Sequence, residues 1–168
     1  ALELYLRSLE LAEDISDTLR IVSALNNIGV IHSKKRVTDN LALENYMKAL
    51  KLSEEASLMD GVGTQNQNIG EIYFKQGNND LALEYFLKAM NAYRSVNTVN
   101  ITNSLNYMGK IYLGYGDIDK ALKAQEEAFE ISSVAGSKLD VARSLIALAE
   151  THRFAGRFRK SIAMNEQA

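Results

Sequence analysis

Proline, cysteine and tryptophan are absent from all 168 residues of the chain. Without proline, nothing removes a backbone donor inside an element, so long uninterrupted helices are allowed. Without cysteine there is no disulfide framework, no thiolate metal site and no thiol nucleophile. That absence does not by itself establish a reducing compartment. No stretch approaches the roughly 20 apolar residues that cross a bilayer. The opening Ala1-Leu-Glu-Leu-Tyr-Leu6 mixes charge into its apolar residues, unlike a signal peptide. A concentrated basic surface is missing too: 19 basic and 21 acidic residues are scattered along the chain, for a net charge of −2. Nucleic acid and membrane are therefore not expected as partners, and the expected compartment is the cytoplasm. A first residue of Ala rather than Met suggests an excised or processed piece. The composition itself, 46% hydrophobic and 24% charged, is that of a folded protein rather than a disordered one.

What is present is an internal repeat. Asn40-Leu-Ala-Leu-Glu-Asn-Tyr-Met-Lys-Ala-Leu50 recurs as Asp80-Leu-Ala-Leu-Glu-Tyr-Phe-Leu-Lys-Ala-Met90 and again as Lys120-Ala-Leu-Lys-Ala-Gln-Glu-Glu-Ala-Phe129. Worn copies open the chain at Ala1 and close it at Lys160. Aligned on their small residue, the copies fall at Ala1, Ala42, Ala82, Ala121 and Ser161, in steps of 41, 40, 39 and 40. A second block lies between them: Leu25-Asn-Asn-Ile-Gly29, Asn66-Gln-Asn-Ile-Gly70, Leu105-Asn-Tyr-Met-Gly109 and Leu145-Ile-Ala-Leu-Ala149. Each unit thus carries two different segments. Their apolar residues keep helical spacing, as at Leu83, Phe86, Leu87 and Met90. Gly77, Gly116 and Gly156 stand in turns, where a left-handed residue ends a helix. Gly29, Gly70 and Gly109 stand inside helices, where each costs about 1 kcal/mol relative to Ala. That cost makes sense where two helices cross closely.

This pattern resembles the tetratricopeptide repeat. The third copy carries the resemblance best, with Ile69, Gly70 and Tyr73 in one helix and Ala82, Phe86 and Ala89 in the other. The second copy gives Ile28, Gly29, His32, Ala42, Tyr46 and Ala49. The fourth gives Met108, Gly109, Tyr112, Ala121, Gln125 and Ala128. The last is weaker, with Leu148, Ala149, His152, Ser161 and Asn165. The closing proline is missing from every copy and the period is near 40 rather than 34, a longer variety like that of kinesin light chains and bacterial peptide-sensing regulators. The resemblance implies an all-α, right-handed superhelix of antiparallel helix pairs. A single array is expected: a lone second helix at 1–16, repeats at 17–57, 58–96 and 97–136, and a last repeat at 137–168 with a shortened second helix. Uncapped terminal helices are expected to allow end-to-end homo-oligomers.

Candidates for chemistry are few. His32 and His152 share one repeat slot three repeats apart, too far to share a ligand, so packing within each repeat is the reading for both. Gly61-Val-Gly63-Thr64 faintly suggests a phosphate loop but lacks the lysine and the preceding strand. A helix start with Asp60 as N-cap is expected instead. His152-Arg-Phe-Ala-Gly-Arg-Phe-Arg-Lys160 is the one basic cluster, read as a solvated turn. No serine has a histidine and an acid in a triad-like arrangement. No catalytic residue, metal site or cofactor is expected.

In the family the first helix of each pair lines a concave groove that holds a protein or peptide segment. Carried over slot by slot, the resemblance selects Asn26 and Asn27, then Gln67, Asn68 and Glu71, then Asn103, Asn106 and Lys110, then Arg143 and Glu150. Amide side chains both donate and accept, so a ladder of them can hold an extended peptide. The same residues could equally satisfy contacts between helices. Val30 and Asn103 stand where the chaperone-tail clamp needs Asn and Lys, so chaperone C-terminal tails are not expected as ligands. The expected function is a non-catalytic binding module, probably the wrong size to act alone and so part of a larger regulator or scaffold; a spacer assembling through its terminal helices and an accessory domain of a signalling enzyme are the alternatives.

Overall fold

The computed structural model describes residues 1–34, 36–96 and 100–167. Among these residues the regular structure is α-helical apart from one short 3-10 turn, Arg36–Thr38. The helices are α1 (Leu2–Asp14), α2 (Thr18–Ser33), α3 (Asp39–Glu55), α4 (Met59–Lys75), α5 (Asn79–Ser95), α6 (Ile101–Gly114), α7 (Ile118–Ala135), α8 (Lys138–Phe154) and α9 (Phe158–Gln167). They fall into two compact units, Ala1–Val96 with α1–α5 and Asn97–Ala168 with α6–α9. The expected repeat boundaries at Asn97 and Ala168 lie outside the described residues.

Six turns close in one way. The residue just before the next helix's N-cap is left-handed: Ser16, Ser57, Gly77, Gly116, Gly136 and Gly156, with φ between 54° and 79°. The N-cap amide then donates to a carbonyl five residues back, as from Asp17 to Ala12 (2.9 Å), Leu58 to Ser53 (2.8 Å), Asn78 to Tyr73 (2.9 Å) and Arg157 to His152 (2.8 Å). This is the helix-ending bond that satisfies orphan carbonyls. Side chains of Asp17, Asn78, Asp117 and Ser137 accept from the third residue of the helix that follows. The expected N-cap at Asp60 is corrected. Helix α4 starts one residue earlier, Leu58 holds the cap position without a side-chain bond, and Asp60 sits in the first turn. There its carboxylate still meets the positive end of the helix. The reason is Ser57, which takes the left-handed position and so fixes where α4 begins.

The core repeats with the sequence. Ala42, Tyr46, Ile69 and Ile72 form one buried cluster, joined by Val30, Leu43, Leu50, Tyr73 and Tyr85. Val22, Leu25 and Ala49 form another with Leu9, Ile21 and Leu52. The glycines within helices mark close crossings. A Cβ on Gly29 would lie 2.5 Å from the Tyr46 ring, on Gly70 2.9 Å from the Phe86 ring, and on Gly109 2.6 Å from the Gln125 side chain. The Gly61–Thr64 segment is helix rather than loop. Its Gly63 is a fourth such crossing, 2.5 Å from the Tyr93 ring by the same measure.

Two sequence positions work against this fold. Ser57 holds a left-handed backbone conformation that costs an L-residue about 1–2 kcal/mol, more than glycine's own entropic cost of about 0.5–1 kcal/mol. Ser57→Gly is therefore expected to raise the melting temperature by about 2 °C, read by differential scanning calorimetry. Asn66 is buried in the slot that Leu25, Leu105 and Leu145 fill, and its carbonyl oxygen has no partner. Asn66→Leu is expected to stabilise by about 1–2 kcal/mol in urea titration, the cost of an unpaired buried polar group; a loss of stability would show that the amide is better satisfied than its surroundings indicate.

Candidate functional site

The first helices of the pairs, α2, α4, α6 and α8, carry all ten residues selected from the sequence. In the first unit, Asn26 and Asn27 lie half-buried on α2, and Gln67, Asn68 and Glu71 lie half-buried on α4. The structure brings two of them together. Asn68 Nδ2 donates to Asn26 Oδ1 at 2.9 Å, joining α4 to α2. Gln67 Nε2 donates to Glu71 Oε1 at 3.3 Å along one face of α4. In the second unit, Asn106 Nδ2 donates to Ser144 Oγ at 3.2 Å, joining α6 to α8. The other amide atom of Asn106, Oδ1, is buried without a partner. Asn103 is half-buried on α6. Lys110 is exposed, its ammonium 5.6 Å from the Tyr107 ring centre. Arg143 pairs with Asp140 at 3.1 Å, and Glu150 is exposed on α8.

Two further polar contacts set the helices that carry this surface. Tyr93 on α5 donates its hydroxyl to Thr64 Oγ1 at 3.4 Å. Burial pushes the Tyr93 phenol up to about 12, so it remains a donor through any physiological pH. Gln125 on α7 takes the slot of Tyr46 and Phe86, and its Oε1 accepts from Thr151 Oγ1 at 2.8 Å in a buried setting. Neither contact was visible in the sequence. Gln125 signalled it only by replacing an aromatic ring.

The two histidines behave differently. His32 is half-buried, and its backbone carbonyl accepts from Thr38 Oγ1 at 2.6 Å. His152 is buried with Nδ1 unpartnered. Burial holds its pKa below the ordinary 6.5, and the cations Lys160 and Arg157 add to this, against an opposing Glu126. Among the described residues no group of three or more His, Asp or Glu is placed to hold a metal ion. No helix among them is long and apolar enough to cross a membrane. The basic turn is solvated: Arg153, Arg157, Arg159 and Lys160 are all exposed, with Phe154 and Phe158 beside them.

A depressed histidine pKa is a stability statement. The stabilisation that depends on neutral His152 is complete above about 6.5 and is lost as the pH falls through the lowered folded value. His152→Tyr, which restores the residue of the Tyr73 and Tyr112 slot, is expected to flatten the fall in melting temperature between neutral pH and pH ~5. Parallel curves for the two proteins would assign the acid sensitivity to other groups.

Comparison with known proteins fits this architecture. The sequence profile of the tetratricopeptide repeat matches residues 62–133 and 98–168. The TPR repeat-containing protein MJ1428 of Methanocaldococcus jannaschii is 44% identical over 62 residues, covering 37% of this chain and 10% of that protein. The chain therefore spans about a tenth of the length of the curated relative it matches. Among solved structures, BtubC (BKLC) from P. vanneervenii superposes with a TM-score of 0.79 at 23% identity, over 98% of this chain and 69% of that one. A signal transduction ATPase with numerous domains from Pyrococcus horikoshii, described as having a tetratricopeptide repeat sensor, superposes at 0.77 with 20% identity, over 99% of this chain and 26% of that one. At these identities the structural likeness shows the fold alone. With the profile covering more than half of the sequence, the chain belongs to the tetratricopeptide repeat family.

Proposed function

We propose that the chain is a non-catalytic module that holds a polypeptide segment of a partner protein on the first helices of its pairs, as part of a larger regulatory or scaffold protein. Tetratricopeptide repeats generally mediate protein–protein interaction, and the observation that carries the proposal here is the polar character of these faces. Asn27, Gln67, Glu71 and Asn103 remain half-exposed, and Lys110 and Glu150 fully so. These side chains offer both donors and acceptors to a peptide backbone. Asn68 and Asn106 contribute differently: each spends an amide hydrogen on a neighbouring first helix, which fixes the spacing of the surface. The structural neighbour whose repeats are described as a sensor makes a regulatory setting reasonable for this chain as well.

Peptide display against the 168-residue chain tests this. Asn27→Ala, Asn103→Ala and Lys110→Ala together are expected to weaken selected peptides at least tenfold, about 1.4 kcal/mol, with little change in melting temperature. Asn68→Ala and Asn106→Ala are expected to lower stability by about 1 kcal/mol each as well. Substitutions on the second helices, Glu44→Ala and Lys88→Ala, are the control: equal weakening by those would place the ligand elsewhere and sink the proposal.

One observation favours a second reading, assembly through a terminal helix. Leu4, Leu11 and Ile15 of α1 are 73%, 59% and 64% exposed. With Arg7, Ser8, Ala12 and Arg20 they line a cleft of about 400 Å³. Sedimentation equilibrium would show concentration-dependent association that Leu11→Glu abolishes; a monomer at every concentration removes this reading.

A further inference from the structure

A small pocket lies between α8 and α9, with a volume of about 220 Å³, lined by Ile146, Ala149, Glu150, Arg153, Ser161 and Asn165. The repeat explains why it is there. In the other pairs a side chain of the second helix fills the space against the glycine slot: Tyr46 against Gly29, Phe86 against Gly70, and Gln125 against Gly109. The corresponding residues in the last pair are Ala149 and Asn165, counting 16 residues between slots as from Gly70 to Phe86 and from Gly109 to Gln125. Asn165 is exposed, so it does not plug the site.

We infer that this pocket is a subsite for one aromatic side chain, phenylalanine or tyrosine, of the bound polypeptide. The inference rests on the reading of the first helices as a ligand surface and names one anchor point on it. Three observations support an aromatic occupant. Equivalent spaces in two other pairs are filled by a tyrosine and a phenylalanine ring of the chain itself. The volume is below the roughly 300–1,000 Å³ of sites for whole small molecules and suits a single side chain. The mouth has complementary charges for a peptide backbone, with the Glu150 carboxylate available to an N–H and the Arg153 guanidinium to a carbonyl. Ile146 and Glu150 occupy the slots of Asn106 and Lys110 on α6, so the pocket opens on the same helix face as the proposed peptide surface.

The test uses the full 168-residue chain, isotopically labelled, and N-acetyl-phenylalaninamide as probe, with N-acetyl-alaninamide as control. Saturable amide shifts at Ala149, Glu150, Ser161 and Asn165 are expected with the phenylalanine probe and none with the alanine one. Asn165→Phe supplies the missing ring from within. It is expected to raise the melting temperature and to weaken the probe at least about tenfold. Ala149→Met, which fills the pocket from α8, gives the same loss of probe binding should Asn165→Phe not fold. Absence of saturable shifts, or shifts that persist in both filled variants, overturns the subsite whatever peptide display shows. Display-selected peptides that bind the filled variants as tightly as the original chain would also overturn it, while leaving the wider peptide surface standing.

Discussion

The crossing of a side chain over a glycine is the contact on which the rest of the molecule depends. Where α2 meets α3 and α4 meets α5, a ring lies so close to the backbone of the first helix that no Cβ fits at Gly29 or Gly70. Each glycine costs about 1 kcal/mol of helix propensity. Full burial of the ring it admits returns about 1.5–3 kcal/mol, and Tyr46 and Phe86 are 2% and 0% exposed. The ring therefore wins, and the same exchange recurs at Gly63 and Tyr93. The small residues Ala42, Ala82 and Ala121, fully buried in the second helices, keep the paired helices close. At Gly109 the exchange has different terms. Gln125 brings less apolar area, and its buried amide has to find Thr151 on α8 to be tolerated.

Close crossings commit one face of each first helix to its partner in the pair, and the polar residues are left for another face. That division makes the Asn26–Asn68 and Asn106–Ser144 bonds intelligible. They run between successive first helices, which touch each other less than they touch their own partners, and part-buried amides suit such a seam. A bond to a neighbouring amide uses one donor and one acceptor. Asn68 Oδ1 and the Asn26 amide hydrogens keep hydrogen-bonding capacity beyond it. Asn106 differs because its remaining oxygen is buried. The ten residues selected from the sequence thus divide between those that shape the surface and those that can meet a ligand.

Recurrence made much of this legible in the sequence. The steps of 41, 40, 39 and 40 gave the helix pairs, and glycines at one slot in three copies gave the crossings. Gly77, Gly116 and Gly156 were readable as left-handed turns because glycine is the usual residue there. Ser16 and Ser57 adopt the same conformation without any such signature, and for that reason the start of α4 was placed at Asp60 instead of Met59. Gly63 was missed as a crossing because it occurs in one copy alone. The amide bonds were not legible at all. Asn26 and Asn68 are 42 residues apart, Gln125 and Thr151 are 26 apart, and which side chains meet depends on helix rotation at a scale that residue type does not encode.

The same slots show how a repeat can turn a core position into a ligand position. Along the chain the occupant facing the glycine slot passes from Tyr46 and Phe86 to Gln125 and then to Asn165, while the slot itself passes from glycine to Ala149. The last pair has given up the ring but kept much of the space. A ring supplied from outside would recover at most the roughly 1.5–3 kcal/mol that burial provides, and association costs at least several kcal/mol in lost freedom. One ring alone therefore binds more weakly than 1 mM, which corresponds to about 4.1 kcal/mol. Useful affinity requires the ring and the peptide backbone to be held together, with the polar faces of the first helices supplying the remaining interactions. The weakness of either part alone then becomes a source of specificity, because only a segment that satisfies both is retained.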